Sequence, residues 1–272
     1  MTIRTALEQG SELLGRDGIA EPRLTAEVLL GHAMHADRAY FYAHPEQELR
    51  EVEWIHYGRY LDERLKGKPT QYITKRQEFY GREFHVTPDV LIPRPETELL
   101  VETIVKLKPA PGTLVDIGTG SGIIAVTLAL ELQRRLIATD LSFEACAVAR
   151  ANAVRLGADV DFLQADLLKP FADASIDIIV SNPPYVSFSD RPTLQREVRD
   201  YEPNLALFGG PNGLSIYKRL IPEARRVLKP GGILALEIGF NQSETVSALA
   251  ADFAGHQLIP DLAGIPRVLV CR

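Results

Sequence analysis

Hydrophobic residues follow a helical spacing over residues 1–66 and change their spacing further along the chain. A third helix is predicted from Val52 to Leu65, ended by Lys66-Gly67-Lys68-Pro69. Two earlier helices are predicted from apolar residues that share one helical face. The first set is Ile3, Leu7, Leu13 and Leu14, and the second, just after Pro22, is Leu24, Val28 and Leu29. Pro22 suits the first turn of a helix.

Residues 71–95 are instead rich in strand-forming side chains, with Gly81 at a turn position. These side chains are Tyr72, Ile73, Phe79, Tyr80, Phe84 and Val86. They predict a short β-hairpin that links two domains. The expected organisation is therefore a helical domain over 1–70, a hairpin linker over 71–95 and a third region over 96–272.

Short apolar runs alternate with helical segments after residue 97, which predicts a mostly parallel sheet with helices on both faces, an α/β doubly wound fold. Helices are predicted over 143–156 and 214–228. Asn241 and Glu244 have the spacing of a capping box, which predicts that a further helix begins there. The predicted strands are Leu114–Ile117, Leu136–Thr139, Val160–Leu163, Ile176–Val180, Ile233–Ile238, Leu258–Ile259 and Arg267–Val270.

Composition is that of an ordinary globular protein, with 46% hydrophobic and 24% charged residues. No apolar run approaches the ~20 residues that span a bilayer, and the first residues lack a signal-peptide core, so we expect a cytoplasmic protein with no membrane partner. A net charge of −6 disfavours direct nucleic-acid binding, although residues 59–76 are locally basic. The six histidines and two cysteines show no metal-ligand spacing, so no metal is expected.

A glycine-rich loop follows the first predicted strand. Its third glycine comes one residue earlier than in the dinucleotide-binding pattern, and the lysine of a phosphate-binding loop is missing. A tight strand–helix turn would also use glycines, so the loop alone is a weak signal. The candidate cofactor-binding residues in it are Asp116, Gly118, Thr119, Gly120, Ser121 and Gly122.

Acidic residues at the next two strand ends strengthen this signal. Asp140 lies 22 residues after Gly118, where a carboxylate can accept both hydroxyls of an adenosine ribose. Asp166 follows the third strand and can accept from an adenine amino group, with Leu167 packing on the ring. Because the carboxyl ends of parallel strands meet at one edge of a sheet, these residues predict an adenosine-binding site there.

The fourth strand ends in Ser181-Asn182-Pro183-Pro184-Tyr185. Two prolines stiffen the loop and favour an extended conformation at Asn182. The Asn182 side-chain oxygen and the Pro183 carbonyl are then fixed acceptors, and Tyr185 adds a flat ring. Such a site suits a planar substrate with an NH₂ group, which is an amide, an adenine or a guanine, and holds its nitrogen toward an electrophile.

Together these motifs resemble a class I S-adenosylmethionine-dependent N-methyltransferase. Further stretches resemble the HemK/PrmC family, which methylates the glutamine amide of the Gly-Gly-Gln motif in class I peptide-chain release factors. These stretches are Gln71-Tyr72-Ile73, Glu78-Phe79-Tyr80-Gly81, Ile92-Pro93-Arg94-Pro95-Glu96-Thr97-Glu98, and Glu202-Pro203 with Ala206-Leu207.

The resemblance implies a seven-stranded Rossmann-like domain with a reversed last strand, and a helical domain that recognises the substrate. It implies S-adenosylmethionine as cofactor, a release factor as protein partner and a monomer. Asn182, Pro183 and Tyr185 are then catalytic, Asn182 also contacts the cofactor, and Pro184 completes the substrate site.

The chain departs from the family at Thr74, where glycine is frequent, and at Pro266, where aspartate is usual. Three alternatives stay open on the residues alone. One is a nucleic-acid N-methyltransferase acting on adenine or guanine, another a non-catalytic S-adenosylmethionine-binding protein, and the third a ribosomal-protein glutamine methyltransferase.

Overall fold

The computed structural model describes all 272 residues, which form two compact units. One comprises Met1–Lys75 with Gln195–Tyr201, and the other comprises Arg76–Leu194 with Glu202–Arg272. The domain limits drawn from the sequence stay predictions. The compact units differ from those limits in two places: residues 76–95 group with the second unit, and residues 195–201 group with the first. No helix combines the length and the apolar character needed to cross a bilayer.

The helices are short to medium in length, and two 3₁₀ turns, Pro95–Thr97 and Phe188–Thr193, accompany them. In chain order they are α1 Ile3–Arg16, α2 Pro22–Met34, α3 Arg38–Ala43, α4 Glu51–Leu65, α5 Thr70–Thr74, α6 Glu98–Leu107, α7 Ile123–Leu132, α8 Phe143–Leu156, α9 Arg196–Tyr201, α10 Asn204–Leu207, α11 Ser215–Val227 and α12 Ser243–Leu249.

The strands form one hairpin and one large sheet. In chain order they are β1 Arg76–Phe79, β2 Arg82–His85, β3 Leu114–Ile117, β4 Leu136–Asp140, β5 Val160–Gln164, β6 Ile176–Ser181, β7 Leu228–Glu237, β8 His256–Pro260 and β9 Pro266–Cys271.

The first unit is built from α1–α5 and α9 around a core that includes Ile3, Leu7, Leu30 and Tyr57. The expected apolar face of α2 is partly wrong, since Leu24 and Val28 are more than a third exposed. Leu29 is buried as expected, and Leu30 completes the buried face together with small alanines that the hydrophobic spacing did not single out.

Helix α9 packs within the first unit although it follows β6 in the chain. The Arg196 guanidinium donates to the Lys66 carbonyl at 2.7 Å, and the Tyr201 hydroxyl donates to the same oxygen at 3.0 Å. Arg64 also forms an ion pair with Glu197. These contacts satisfy the carbonyl groups at the end of α4, which explains why residues 195–201 group with the helices.

The strand expected at Tyr72 and Ile73 is wrong, because both residues lie in α5. Pro69 precedes this helix, and Ile73 packs into the helical core of the first unit. Burial against the other helices therefore outweighs the strand propensity of these two side chains.

The hairpin itself is formed by β1 and β2, with Phe79 opposite Arg82. Tyr80 and Gly81 have φ values of 51° and 68°, as a two-residue type I′ turn requires. Phe79 and Phe84 are buried in the core of the second unit, so the hairpin is part of that unit's packing rather than a free linker.

The large sheet has the order β5-β4-β3-β6-β7-β9-β8. Strands β5, β4, β3, β6 and β7 are parallel, while β9 runs antiparallel between β7 and β8. The structure therefore confirms the expected seven-stranded α/β sheet with a reversed last strand.

Alternate side chains of the central strands face two separate cores. Leu114 of β3 packs with residues of α6, α7 and α8, whereas Val115 packs with residues of α11 and α12. This arrangement buries both faces of the parallel strands, and loops are left to form the edge at which the strands end.

Two local predictions in this unit are wrong. Strand β7 begins at Leu228, not Ile233, because Leu228 pairs with Ile176 beyond a register shift. Asn241 does not cap α12: it has a φ of 62°, and α12 begins two residues later, at Ser243.

Candidate active site

A cavity of about 310 Å³ lies at the edge where β3, β4, β5 and β6 end. Asp116, Gly122, Pro183 and Tyr185 are adjacent in the chain to the residues on its wall but do not line it. The predicted site residues that do line it are Gly118, Thr119, Gly120, Ser121, Asp140, Asp166, Leu167, Asn182 and Pro184.

The glycine loop crosses from β3 into α7 along this wall. Gly118 and Gly120 have φ values of 73° and 54°, and a Cβ on either would point into open space. Gly122 has a φ of 86°, and there a Cβ would lie 3.0 Å from the Cβ of Ala149. The first two glycines thus leave bare backbone at the cavity, while the third permits close packing of the loop on α8.

Asp140 ends β4 and holds the glycine loop by hydrogen bonds. Its carboxylate accepts from the backbone N–H of Gly120 at 2.9 Å and from that of Ser142 at 2.9 Å. Burial raises the pKa of the Asp140 carboxyl, and these N–H groups oppose the shift. Each oxygen still has a lone pair available for a ligand hydroxyl.

Asp116 lies at the base of the loop and is fully buried. Both of its carboxylate oxygens lack a hydrogen-bond partner, as does the nearby Thr119 hydroxyl oxygen. Burial raises the pKa of the Asp116 carboxyl to about 7. Such unpartnered buried oxygens are costly and are typical of a binding site.

Asp166 and Leu167 lie on the cavity wall after β5. The Asp166 carboxylate accepts from Lys169 at 2.5 Å and from Arg219 at 2.7 Å. These two bonds, that of Lys169 first, lower the pKa of Asp166. Arg219 also lines the cavity, a residue that the sequence analysis did not single out.

Asn182 follows β6 and reaches the residues before α6. Its Nδ2 donates to the Thr97 hydroxyl at 3.0 Å, and both residues line the cavity. With the amide nitrogen bonded in this way, the Asn182 Oδ1 is the free acceptor of this side chain.

Tyr185 is held beside this loop. Its carbonyl accepts from the Gln242 side chain at 3.0 Å, and its ring packs against the core that includes α11 and α12. Burial raises the pKa of the Tyr185 phenol to about 12, so the ring is neutral at physiological pH.

The loop that carries Arg94 is fixed by Glu202. Arg94 forms an ion pair with this buried carboxylate at 2.6 Å, and the Ile92 N–H donates to it at 3.2 Å. Arg94 lines the cavity. Two of the stretches that carry the family resemblance are thereby joined in space.

Sequence reasoning missed the bond of Thr97 to Asn182, the bond of Gln242 to Tyr185 and the buried acid Glu237. Glu237 is the last residue of β7, and its position at the carboxyl edge of the sheet is the signal that could have identified it. Nothing in the local sequence indicates that Thr97 meets Asn182, because the two are far apart in the chain.

The sheet order, the glycine loop and the acid at the end of β4 define a methyltransferase of the class I, Rossmann-like fold. Residues 5–74 match the family model of the PrmC N-terminal domain, and residues 95–198 match that of the methyltransferase small domain. A release factor glutamine methyltransferase of Koribacter versatilis is 45% identical over 276 residues, covering 100% of this chain and 99% of that protein. The chain belongs to the release factor glutamine methyltransferase family, as its motifs predict.

Solved structures share the fold at low identity. A 16S rRNA N2 methyltransferase of T. thermophilus, in complex with AdoMet and guanosine, is 19% identical with a TM-score of 0.53. The match covers 72% of this chain and 49% of that chain. The E. cuniculi Mtq2–Trm112 complex, responsible for methylation of the eRF1 termination factor, is 22% identical with a TM-score of 0.50, over 68% of this chain and 98% of that one.

Proposed function

We propose that this protein transfers a methyl group from S-adenosylmethionine to the side-chain amide nitrogen of the Gly-Gly-Gln glutamine in class I release factors. The observation that carries the proposal is the bond from Asn182 Nδ2 to Thr97, which leaves the Asn182 Oδ1 as an acceptor in the same cavity as the glycine loop. Membership of the family supports the same substrate.

The residues of the glycine loop and the next two strand ends suit S-adenosylmethionine. Bare backbone at Gly118 and Gly120 admits a ligand. We assign Asp116, at the buried base of the glycine loop, to the part of the site that holds the methionine part. In our assignment Thr119, Ser121, Gly122 and Asn182 complete the contacts of the methionine part. Asp140 then accepts from the ribose hydroxyls, and Asp166 with Leu167 contacts the adenine.

When bound, S-adenosylmethionine supplies an electrophilic methyl group. An amide nitrogen is a weak nucleophile, because its lone pair is delocalised into the carbonyl. We assign the Asn182 Oδ1 and the Pro183 carbonyl as acceptors of its two N–H bonds, which oppose that delocalisation and fix the nitrogen. Pro184 and the neutral ring of Tyr185 pack on the amide plane, and water receives the proton that nitrogen loses.

The decisive experiment incubates the purified protein with labelled S-adenosylmethionine and, in parallel, with a class I release factor, ribosomes and DNA. We expect one methyl group on the Gly-Gly-Gln glutamine, located by mass spectrometry, and no transfer when that glutamine is glutamate, which lacks the NH₂ group. Labelling of DNA or ribosomes with the release factor unmodified would contradict the proposal.

We also propose that residues 1–70 recognise the release factor, residues 71–95 connect, and residues 96–272 perform the chemistry, in a monomer that acts in the cytoplasm. The exposed apolar side chains of Tyr42 and Ile55 suit protein recognition. Replacing both with alanine should raise the KM for the release factor and leave cofactor binding unchanged. Val154→Ala, at an exposed site of the second unit, is the control.

A further inference from the structure

A buried polar cluster adjoins Asn182. Glu237 is 2% exposed at the end of β7 and does not line the cavity. The Thr97 hydroxyl and the Asn182 amide lie close enough to its carboxylate to lower the pKa of that group, and the buried Oε2 of Glu237 has no hydrogen-bond partner. Thr97 also accepts from Asn182 Nδ2 at 3.0 Å. Three side chains, from the turn before α6, the loop after β6 and the end of β7, thus lie together in one buried polar cluster.

We infer that Glu237 and Thr97 are positioning residues that fix which end of the Asn182 amide faces the substrate. The inference rests on the proposed function, since it assigns the Asn182 Oδ1 to the glutamine NH₂ group.

The polarity of the network follows from hydrogen-bond chemistry. An ionised carboxylate only accepts hydrogen bonds, so the Thr97 proton is directed to Glu237 and the Thr97 oxygen is left to accept. Only the NH₂ end of Asn182 can donate both to that oxygen and to the carboxylate. The amide oxygen must therefore point the other way, toward the substrate site.

The charge state of Glu237 thereby controls the orientation of Asn182. A protonated Glu237 can donate to Thr97, whose own proton is then free to bond the Asn182 oxygen and favour the reversed amide. A reversed Asn182 would present NH₂ to the NH₂ of the substrate, which cannot form a hydrogen bond.

Several groups act on this carboxyl. Burial raises the pKa of Glu237 to about 7, and the nearby Thr97 hydroxyl and Asn182 amide oppose the rise. The charge of Glu96 adds to the rise and that of Arg267 opposes it. The Tyr217 hydroxyl donates to the Glu237 carbonyl rather than to its side chain. The ionised form therefore prevails above about pH 7 and is lost below it.

The test compares Glu237→Gln, Thr97→Val and Thr97→Ser with the wild type at saturating cofactor and release factor. Thr103→Val is a matched control, because Thr103 is buried in α6 but bonds only the Leu99 carbonyl in its own helix. We expect Glu237→Gln and Thr97→Val to lower kcat by about 10²-fold, as for loss of a preorganised polar group. Binding of S-adenosylhomocysteine should stay within several-fold of wild type in both. Thr97→Ser should restore most of the rate, and Thr103→Val should keep it.

The pH profile separates positioning from a structural effect. The wild-type kcat should fall as pH drops through about 7, and this limb should vanish in Glu237→Gln, whose side chain does not titrate. A Glu237→Gln variant with wild-type kcat, or with an unchanged limb, would refute the inference. If that variant does not fold, equal rates in Thr97→Val and Thr97→Ser would refute it.

A readout independent of activity keeps the two proposals distinguishable. In the wild type the Asn182 side-chain NH₂ protons should exchange slowly with water by NMR, and Glu237→Gln should accelerate the exchange. An active wild type with equal exchange in both proteins contradicts the positioning role alone. Slow, Glu237-dependent exchange in a protein that leaves the release factor unmethylated supports the positioning role and contradicts the proposed function.

Discussion

The backbone N–H of Gly120 donates to Oδ2 of Asp140 at 2.9 Å, and this bond joins the glycine loop after β3 to the end of β4. A side chain proposed to hold the cofactor ribose therefore also fixes the backbone proposed to hold the methionine part. Because the Asp140 carboxylate serves both the ribose and the glycine loop, its removal should weaken cofactor binding more than the loss of two ribose contacts alone would.

Asp140→Ala should weaken binding of S-adenosylhomocysteine by well over tenfold. Hydrogen bonds to a charged group contribute ~1.5–3 kcal/mol each, and the glycine loop loses a partner as well. Isothermal titration calorimetry measures the effect, with the exposed Asp159→Ala as control. A dissociation constant close to the wild-type value would show that Asp140 does not bind the ribose.

These residues could be predicted because each lies at a strand end, and parallel strands bring their carboxyl ends to one edge. That Thr97 is the partner of Asn182 could not be predicted, since the two residues are far apart in the chain and meet only through tertiary packing. The position of α9 was also beyond prediction, because its bonds to Lys66 arise from tertiary packing. Tyr72 and Ile73 favour strands locally, yet their burial decides for a helix.

Gly122→Ala should destabilise the protein more than Gly157→Ala. Both glycines have positive φ, 86° and 74°, so each alanine costs ~1–2 kcal/mol of backbone strain. At Gly122 the new Cβ would also lie 3.1 Å from the Cα of Ala149, whereas at Gly157 it meets nothing. Overpacking adds ~1–3 kcal/mol at the first site only. Urea unfolding of the two variants checks this, and equal losses would contradict the close approach.

Asp116→Asn should stabilise the protein in neutral solution. The pKa of this buried carboxyl rises from 3.8 to about 7 on folding. Its contribution to stability is therefore full at acidic pH and is lost as pH rises through that interval, because the folded state must then bury a charge. The free energy of unfolding of Asp116→Asn minus that of the wild type should increase from pH 4 to pH 8. A constant difference would show that Asp116 titrates normally.

Arg94→Met should reduce the stability of the protein. Glu202 would remain buried and charged without its 2.6 Å partner, and the loss of a charged hydrogen bond costs ~1.5–3 kcal/mol. Adding Glu202→Gln should recover part of the loss, since it also removes the charge that Arg94 balances. Urea unfolding of the two single variants and the double variant measures the coupling. Strictly additive effects would contradict an energetic link between these residues.

Asn182→Ala should nearly abolish methyl transfer while S-adenosylhomocysteine binds within several-fold of the wild type. The substitution removes the acceptor proposed for one N–H of the glutamine amide, and loss of one preorganised polar contact in a dry site costs ~10²–10³ in rate. It leaves intact the glycine loop and Asp140, which are proposed to hold most of the cofactor. Single-turnover transfer to the release factor and calorimetry with S-adenosylhomocysteine give the two numbers independently. Near-normal transfer would remove Asn182 from the reaction, whereas equal losses in transfer and cofactor affinity would make it a cofactor-binding residue only.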